Sequence, residues 1–288
     1  VKTLLKGNPG AGRLAETNRL LAEFSASQSD SDYLRALRSS RLAELIRDWR
    51  LDLERGAAEV LYDDPAKITA ARGQKIHLLA RLDTYFDAIH DELLIFSPYF
   101  VPGANGVARL RQLCRRGVRV GVITNSLAST DVAAVHAGYA RYRKPLLRAG
   151  VELHEIDHTL SRQERHQKRG PRASSKASLH AKSFVIDNKR VFIGSLNLDP
   201  RSVVENTEIG IMIESPDMAR LMSRGFEHIA RRAAFRVALE NPQTAGEALR
   251  WHRQSRGGQQ VFRSEPNTGF WRRFGAAFMR LLPIESQL

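Results

Sequence analysis

Apolar residues recur at two different spacings along the chain, and the change of spacing marks its organisation. From Leu14 to Gly56 the pattern is helical in a polar background. Leu34, Leu37, Leu42, Leu45 and Ile46 fall in step, and Gly56 is the expected stop. Residues 1–13, with Gly7, Pro9, Gly10 and Gly12, read as loop. "AEVLYDDP" (58–65) predicts a short strand ending in a turn. A regular alternation follows. Residues 75–91 predict an amphipathic helix and 92–100 a buried strand bounded by Pro98. Residues 105–117 predict a helix closed by Gly117, and 118–125 a β-branched strand. Residues 130–150 predict a helix capped by Thr130 or Asp131, with Pro145 as a kink point and Gly150 at its end. Residues 151–156 are a strand. Three more strands are expected at 180–187, 190–195 and 208–214, then a helix over 215–233 capped by Ser215. Residues 235–239, 248–254 and 259–265 suggest a small meander. Helix and strand in turn predict an α/β domain with a parallel or mixed central β-sheet flanked by helices.

Two segments stand apart. Residues 157–177, "DHTLSRQERHQKRGPRASSKA", are basic, Ser-rich and aperiodic, so a long loop is expected, either a solvated surface loop or one facing a phosphate. In the tail, Phe270, Phe274 and Phe278 recur at i, i+4 and i+8, with Trp271 and Leu282 beside them and Arg272, Arg273 and Arg280 among them. That is a basic amphipathic helix, suited to a membrane surface or to docking on the domain. The expected division is 1–74 as a mostly helical linker segment, 75–240 as the main α/β domain, and 241–288 as short strands followed by the amphipathic helix.

Composition narrows the partners. Lys and Arg outnumber Asp and Glu by 45 to 31, a formal charge of +14, which favours nucleic acid, an acidic membrane surface or a phosphate substrate. The single cysteine, Cys114, excludes an intramolecular disulfide and a CxxC zinc site, and is expected as a small buried residue. No run of 18 apolar residues occurs, so no transmembrane helix is expected, and "VKTLLKGNPGAGRL" lacks an apolar signal core.

The candidate chemistry lies in "SLHAKSFVIDNKRVFIGSLNLDPRS", residues 178–202. Its pattern is H-x-K-x4-D-x6-G-S-x-N. If 180–187 is a strand, His180 and Lys182 share a face, as do Ser195 and Asn197 after the next strand. Four polar groups would then converge on one anion, with Gly194 allowing close backbone approach. Such a set suits phosphodiester chemistry. A neutral imidazole attacks phosphorus. Lys and Asn hold non-bridging oxygens. A second histidine protonates the leaving alcohol. The imidazole also needs an acceptor on its other nitrogen, for which Glu208 is the candidate and Glu205 the alternative. "RHQKRGPRA" offers His166 and Lys168, but position 173 is Ala and no GSxN follows, so it reads as loop. His77, His90, Trp251 and His252 read as structural. His136 and Tyr139 read as helix packing, with Arg141, Arg143 and Lys144 able to meet head groups. Ser97, Tyr99, Arg201 and Ser202 are expected near the mouth of the site.

"HAKSFVIDNKRVFIGSLN" resembles the HKD motif of the phospholipase D superfamily at every signature position. "SPYFVPG", "NLDPRSVVENTEIGIMIESP" and "LPIESQL" look like the second half of bacterial cardiolipin synthases of the C subtype. The resemblance covers residues 76–288 well and 14–60 loosely. It implies a phospholipase D-like fold, with His180 catalytic and Lys182 and Asn197 as phosphate ligands. Asp187, the motif's Asp, counts among the catalytic set in a structural and electrostatic role, since it falls on the strand face opposite His180. Glu208 matches the acidic residue that bonds the histidine. The implied activity is phosphatidyl transfer from a phospholipid to phosphatidylglycerol through phosphohistidine, with no cofactor or metal. The rival is a homodimeric phosphodiesterase or nuclease, and a non-catalytic membrane-binding half is a third reading. Expected partners are phospholipid substrates and an anionic membrane surface, ahead of nucleic acid. The expected place is the cytoplasmic face of the bacterial inner membrane, held peripherally. Those synthases carry one motif in each of two fused halves, whereas this chain carries one motif and begins with Val. A piece of a longer protein, a truncated product and a pairing of two copies all fit. The fused arrangement would make His180 the general acid and base.

Overall fold

The structure is a computed structural model that describes residues 11–28, 31–50, 53–68, 78–159, 178–240, 246–255 and 258–282. His77, the loop residues 160–177 with His166 and Lys168, and the tail beyond Leu282 lie outside them. The chain divides into two compact units, Val1–Leu53 and Glu54–Leu288. The first holds helices α1 (Ala11–Gln28), α2 (Asp32–Arg38) and α3 (Arg41–Arg47). Ser31 and Ser40 begin α2 and α3 by accepting the backbone N–H of Leu34 and Ala43 at 3.3 and 3.2 Å. The helical pattern ends at Arg47, well before the expected stop at Gly56.

The second unit is built on one ten-stranded sheet in the order β1-β7-β6-β5-β2-β3-β4-β8-β9-β10. Its strands are β1 (Ala57–Tyr62), β2 (Glu92–Phe96), β3 (Arg119–Asn125), β4 (Glu152–Ile156), β5 (Ser183–Ile186), β6 (Arg190–Gly194), β7 (Ile209–Glu214), β8 (Ala234–Glu240), β9 (Ala248–Ser255) and β10 (Gly258–Phe262). Only β2-β3-β4 are parallel, and the remaining pairs are antiparallel. Each parallel step needs a crossover, which α5 (Gly103–Arg115) and α6 (Ala133–Arg148) supply. The mixed sheet and flanking helices match the sequence expectation. The boundaries do not. β1 pairs with β7, so it belongs to the sheet rather than to a linker ending at residue 74. β9 and β10 extend the same sheet beyond residue 240.

The central strands β2, β3 and β4 are almost wholly buried because both faces are covered. On one face Leu93, Ile95, Val120, Val122, Leu153 and Phe184 pack with α4 (Leu78–Asp87), α5 and α6. Leu78, Leu82 and Phe86 give α4 its buried stripe at i, i+4 and i+8. On the other face Leu94, Phe96, Ile123, Val185 and Val191 pack under Phe226 and Ala219 of α8 (Pro216–Arg232). Ser215 caps α8 as expected, accepting the Met218 N–H at 3.3 Å. The cap of α6 differs from expectation: it is Val132, with no side-chain cap bond, while Thr130 Oγ1 accepts the Val132 N–H at 3.3 Å. Cys114 is only half-buried, and burial still pushes its thiol pKa up.

Beneath α6 lies an ionic core. Arg143 is 2% exposed and pairs with Glu155 at 2.8 Å and with Glu265. Tyr139 and Trp251 donate to Glu155 at 3.1 and 2.9 Å, and the guanidinium sits over both rings. His136 Nε2 lies 2.7 Å from Arg143. The structural reading of His136, Tyr139 and Trp251 therefore matches their placement, and Arg143 is buried rather than facing head groups.

Candidate active site

The parallel strands β2 and β3 end at Phe96 and Asn125, and antiparallel β5 begins beside Phe96 at Ser183. His180 and Lys182 therefore lie just before β5, beyond the carboxyl edge of the parallel strands, where open α/β sheets leave a crevice. They stand outside the strand itself, contrary to expectation, but Gly194 N–H donates to the Lys182 carbonyl at 3.0 Å and carries the pairing one step further.

One buried side chain fixes the backbone beside His180. Asn125 Nδ2 donates to the Leu179 carbonyl at 3.2 Å, and Asn125 Oδ1 accepts the Leu179 N–H at 2.9 Å. The carboxamide thus pairs with Leu179 as a neighbouring strand would. The His180 side chain is exposed, and its ring makes no hydrogen bond among the described residues. Lys182 is half-buried and donates to the His180 carbonyl at 3.2 Å. Burial lowers its pKa, and the charges of Glu208, Asp199 and Asp131 only partly restore it.

The second half of the motif is sutured to the loop after β2. Val101 N–H donates to the Leu198 carbonyl at 2.7 Å, Leu198 N–H to Ser97 Oγ at 3.5 Å, and Phe100 bridges Leu198. Asn197, between these contacts and β6, buries its Oδ1 without a partner among the described residues. An unpaired buried acceptor is costly, and only a donor can satisfy it. Tyr99 donates to Asp131 at 2.8 and 3.0 Å, and burial with that bond raises its pKa to about 12. Asp199 caps α7 (Pro200–Val204) through the Ser202 N–H at 2.7 Å, and burial raises its pKa. Ser202 is buried and Arg201 exposed.

Glu208 sits just before β7 and is buried. Its carboxylate accepts from Ser195 Oγ and from Asn206 Nδ2, the latter at 3.2 Å. It does not bond His180, so the expected His180–Glu208 hydrogen bond is absent, and Glu208 acts on the site through Ser195 and through its charge near Lys182. Glu205 is exposed at the end of α7. Glu208 is held in turn by Asp63, which follows β1. Glu208 N–H donates to Asp63 Oδ2 at 2.8 Å, and Asp63 N–H donates to the Glu208 carbonyl at 2.9 Å. Lys67 closes the unit, pairing with Asp63 at 2.7 Å and donating to the Ser202 carbonyl at 3.1 Å. Sequence reading missed Asp63, Lys67 and Asn125. The only signal was polar residues placed at strand ends, in "YDDP" and "VITN".

Two motif positions serve the frame rather than the anion. Asp187 lies at the far end of β5 from His180, in the hairpin to β6 with φ +51°. Its carboxylate accepts backbone N–H groups of His90, Asp91 and Glu92 at 3.1, 2.8 and 2.9 Å. Burial raises its pKa, but these three donors outweigh that and leave it lowered. It ties the hairpin to the start of β2 and makes no hydrogen bond to His180, Lys182 or Asn197 among the described residues. The same contact places His90 after α4 rather than on it. Gly194 faces Gly210 across β6 and β7. A Cβ there would meet the Ile209 carbonyl at 2.6 Å and Gly210 Cα at 2.8 Å. Close strand approach, not a bound anion, requires the glycine.

Residues 82–230, just over half of the chain, match the family described as "Cardiolipin synthase, PLD-like domain". The chain belongs to this phospholipase D-like family. It is 39% identical over 274 residues to cardiolipin synthase C of Escherichia coli K12, covering 95% of this chain and 57% of the relative. It thus spans little more than half the length of that relative. Among solved structures it is similar to the phospholipase D family member Nuc from Salmonella typhimurium, at 17% identity and TM-score 0.45, covering 64% of this chain and 99% of the other. It is also similar to phosphatidylserine synthase from Haemophilus influenzae Rd KW20, at 17% identity and TM-score 0.46, covering 68% and 47%. Within the family's domain, His180 and Lys182 before β5 and Asn197 after β6 lie at the same end of the sheet.

Proposed function

We propose that the chain is one half of a phosphatidyltransferase of the cardiolipin synthase type. The observation that carries this is the sheet edge itself. An exposed imidazole with no hydrogen bond among the described residues stands beside Lys182, and Asn197 follows β6 at the same end of the sheet. Lys182 Nζ and Asn197 Nδ2 would donate to the non-bridging oxygens of a phospholipid phosphate and stabilise charge in the transition state. In the first step a histidine nitrogen bonds to phosphorus, and the P–O bond to the donor's alcohol breaks. The second histidine gives that alcohol its proton. In the second step the hydroxyl of phosphatidylglycerol attacks phosphorus and the P–N bond breaks. The hydroxyl proton returns to the second histidine. We assign His180 the acid–base role, with the nucleophile on the other half. Burial lowers the Lys182 pKa, and a bound phosphate would favour its ammonium form.

A second motif-bearing half has a surface to meet. Val60, Ile211 and Ile193 lie directly opposite one another across β1, β7 and β6, and all three are exposed. Exposed Ile209 continues this row to Ser195, whose Oγ accepts the Ile209 N–H at 3.1 Å. An apolar row running up to the site suits an interface that completes it. On this reading the enzyme would work at a bacterial inner membrane, held peripherally on the cytoplasmic face. No helix among the described residues is long and apolar enough to cross a membrane.

The test is to incubate the chain with vesicles of phosphatidylglycerol and phosphatidylethanolamine and seek cardiolipin by mass spectrometry. The same assay is run after adding the remaining half of the parent protein. Cardiolipin that needs both halves and disappears with His180→Ala supports the reading. Cardiolipin from the chain alone means that two copies complete the site. Cleavage of DNA without lipid transfer would sink it.

A further inference from the structure

The C-terminal helix α9 (Phe270–Leu281) is both docked and unfinished. One side is fastened to the domain. Ala276 is buried, and Arg141 donates to the Arg280 and Leu282 carbonyls from α6. Arg272 donates to the Leu127 and Thr130 carbonyls at 2.8 Å each. The opposite side carries Phe270, Trp271, Phe274, Phe278 and Leu281, which are 64, 79, 56, 55 and 78% exposed. At 100° per residue these five fall within one third of the helix circumference. Phe270, Trp271 and Phe274 pack edge-on or stacked among themselves with centroids 5.4–6.2 Å apart, so they form one continuous apolar ridge. A water-exposed ridge of this kind marks an interaction surface.

The flank of the ridge selects the partner. Arg273 and Arg280 lie on the next face of the helix and line a cavity of about 310 Å³ between α9, α6 and β9, together with Arg263, Lys144 and Arg250. Glu265 is the one carboxylate among its lining residues, and it is already taken up by Arg143. Aromatic side chains beside a guanidinium cluster match the acyl–headgroup boundary of an acidic bilayer. The helix also lies one loop away from the chemistry. Arg272 grips the Thr130 carbonyl, the next residue Asp131 holds Tyr99, and the Asp131 charge acts on Lys182.

We infer that the α9 ridge is the membrane-docking surface, inserting at an anionic phospholipid bilayer with a lipid phosphate drawn into the arginine-lined cavity. This deepens the transferase reading by naming the face that meets the substrate's bilayer. It stands or falls separately from it, because docking needs no turnover.

The experiment is co-sedimentation of the chain with vesicles of phosphatidylglycerol and phosphatidylcholine against phosphatidylcholine alone, with Trp271 emission recorded. Expected is a blue shift quenched by brominated acyl chains and missing from Trp271→Phe. Phe274→Asp with Phe278→Asp should weaken binding by about tenfold or more, with an unchanged circular dichroism spectrum. Arg273→Gln with Arg280→Gln should weaken binding to anionic vesicles by about 30-fold while sparing the weak neutral binding. His180→Ala should bind as the parent does, whether or not cardiolipin forms. Unaltered binding by the ridge variants, or an unshifted Trp271, overturns the inference. So does a concentration-dependent dimer that the ridge variants abolish, which would assign the ridge to a second copy.

Discussion

Asp187→Ala removes the shared acceptor of three consecutive backbone N–H groups, His90, Asp91 and Glu92, at 3.1, 2.8 and 2.9 Å. Hydrogen bonds to a charged acceptor contribute about 1.5–3 kcal/mol each. His90 is exposed and its amide can return to water, so the two shorter bonds dominate and about 3 kcal/mol is the expected loss. Asp187 also holds φ +51°, where alanine costs about 1 kcal/mol more than an Asp or Asn. The sum, about 4 kcal/mol, corresponds to a fall in Tm of roughly 8–16 °C for a unit of this size. Asp187→Gly should cost about 3 kcal/mol, since it relieves the backbone but loses the acceptor. Asp187→Asn keeps an oxygen and tolerates the conformation, so about 1–2 kcal/mol is expected. Urea unfolding followed by far-UV circular dichroism measures all three. The pH dependence follows from the sign of the shift. The folded pKa is lowered, so the carboxylate's contribution is complete above the unfolded value near 4 and is lost as pH falls through the lower folded value. The gap between parent and Asp187→Asn should be flat from neutral pH to about 5 and shrink below about 4. Alanine and glycine variants as stable as the parent but devoid of activity would refute the positioning role and return Asp187 to the chemistry.

Three other outcomes are expected. His154 is buried against Phe226, and burial lowers its pKa from 6.5 to about 4, so it stays neutral when folded. Its stabilising contribution is present above pH 6.5 and is lost as pH falls toward 4, and His154→Phe should remove about 3 kcal/mol of that slope in urea titrations. Arg143→Met strands Glu155 in the core and should cost about 3–5 kcal/mol, of which Glu155→Gln in the same chain recovers part, as a double-mutant cycle will show. Asn125→Ala frees the backbone at Leu179 and should lower kcat in the cardiolipin assay by about tenfold to a hundredfold. KM and the Trp271 blue shift should be held, which a general loss of fold would not do.

Most of the second unit was legible because its elements are periodic. The buried strands β2, β3 and β4 and the stripe Leu78–Leu82–Phe86 follow from burial on fixed faces, and those faces are written in the spacing of apolar residues. The motif was legible for another reason: its polar residues sit at fixed distances within one hairpin. What escaped is non-local. Glu208 was assigned to His180, but Ser195 and Asn206 reach it first. Asp63 meets Glu208 across 145 positions, and no local pattern encodes that pairing. Asp187 was expected in a structural and electrostatic role, but its amide partners near residue 90 could not be named from the motif. β1 read as part of a helical linker because a lone strand cannot announce which sheet it will join.

The pairing of β1 with β7 sets an order of events during synthesis. Val60 faces Ile211, about 150 residues later, and at about 5–20 residues per second it waits roughly 8–30 s for that partner to emerge. Until then Val60, Tyr62 and an unpaired strand edge are open to other chains. Asp63 stands at the end of the waiting strand, so Glu208 and Ser195 take their places only when that strand comes home. The candidate site therefore cannot form before β7 emerges, and a chain arrested earlier would lack it together with α8, which covers one face of the sheet.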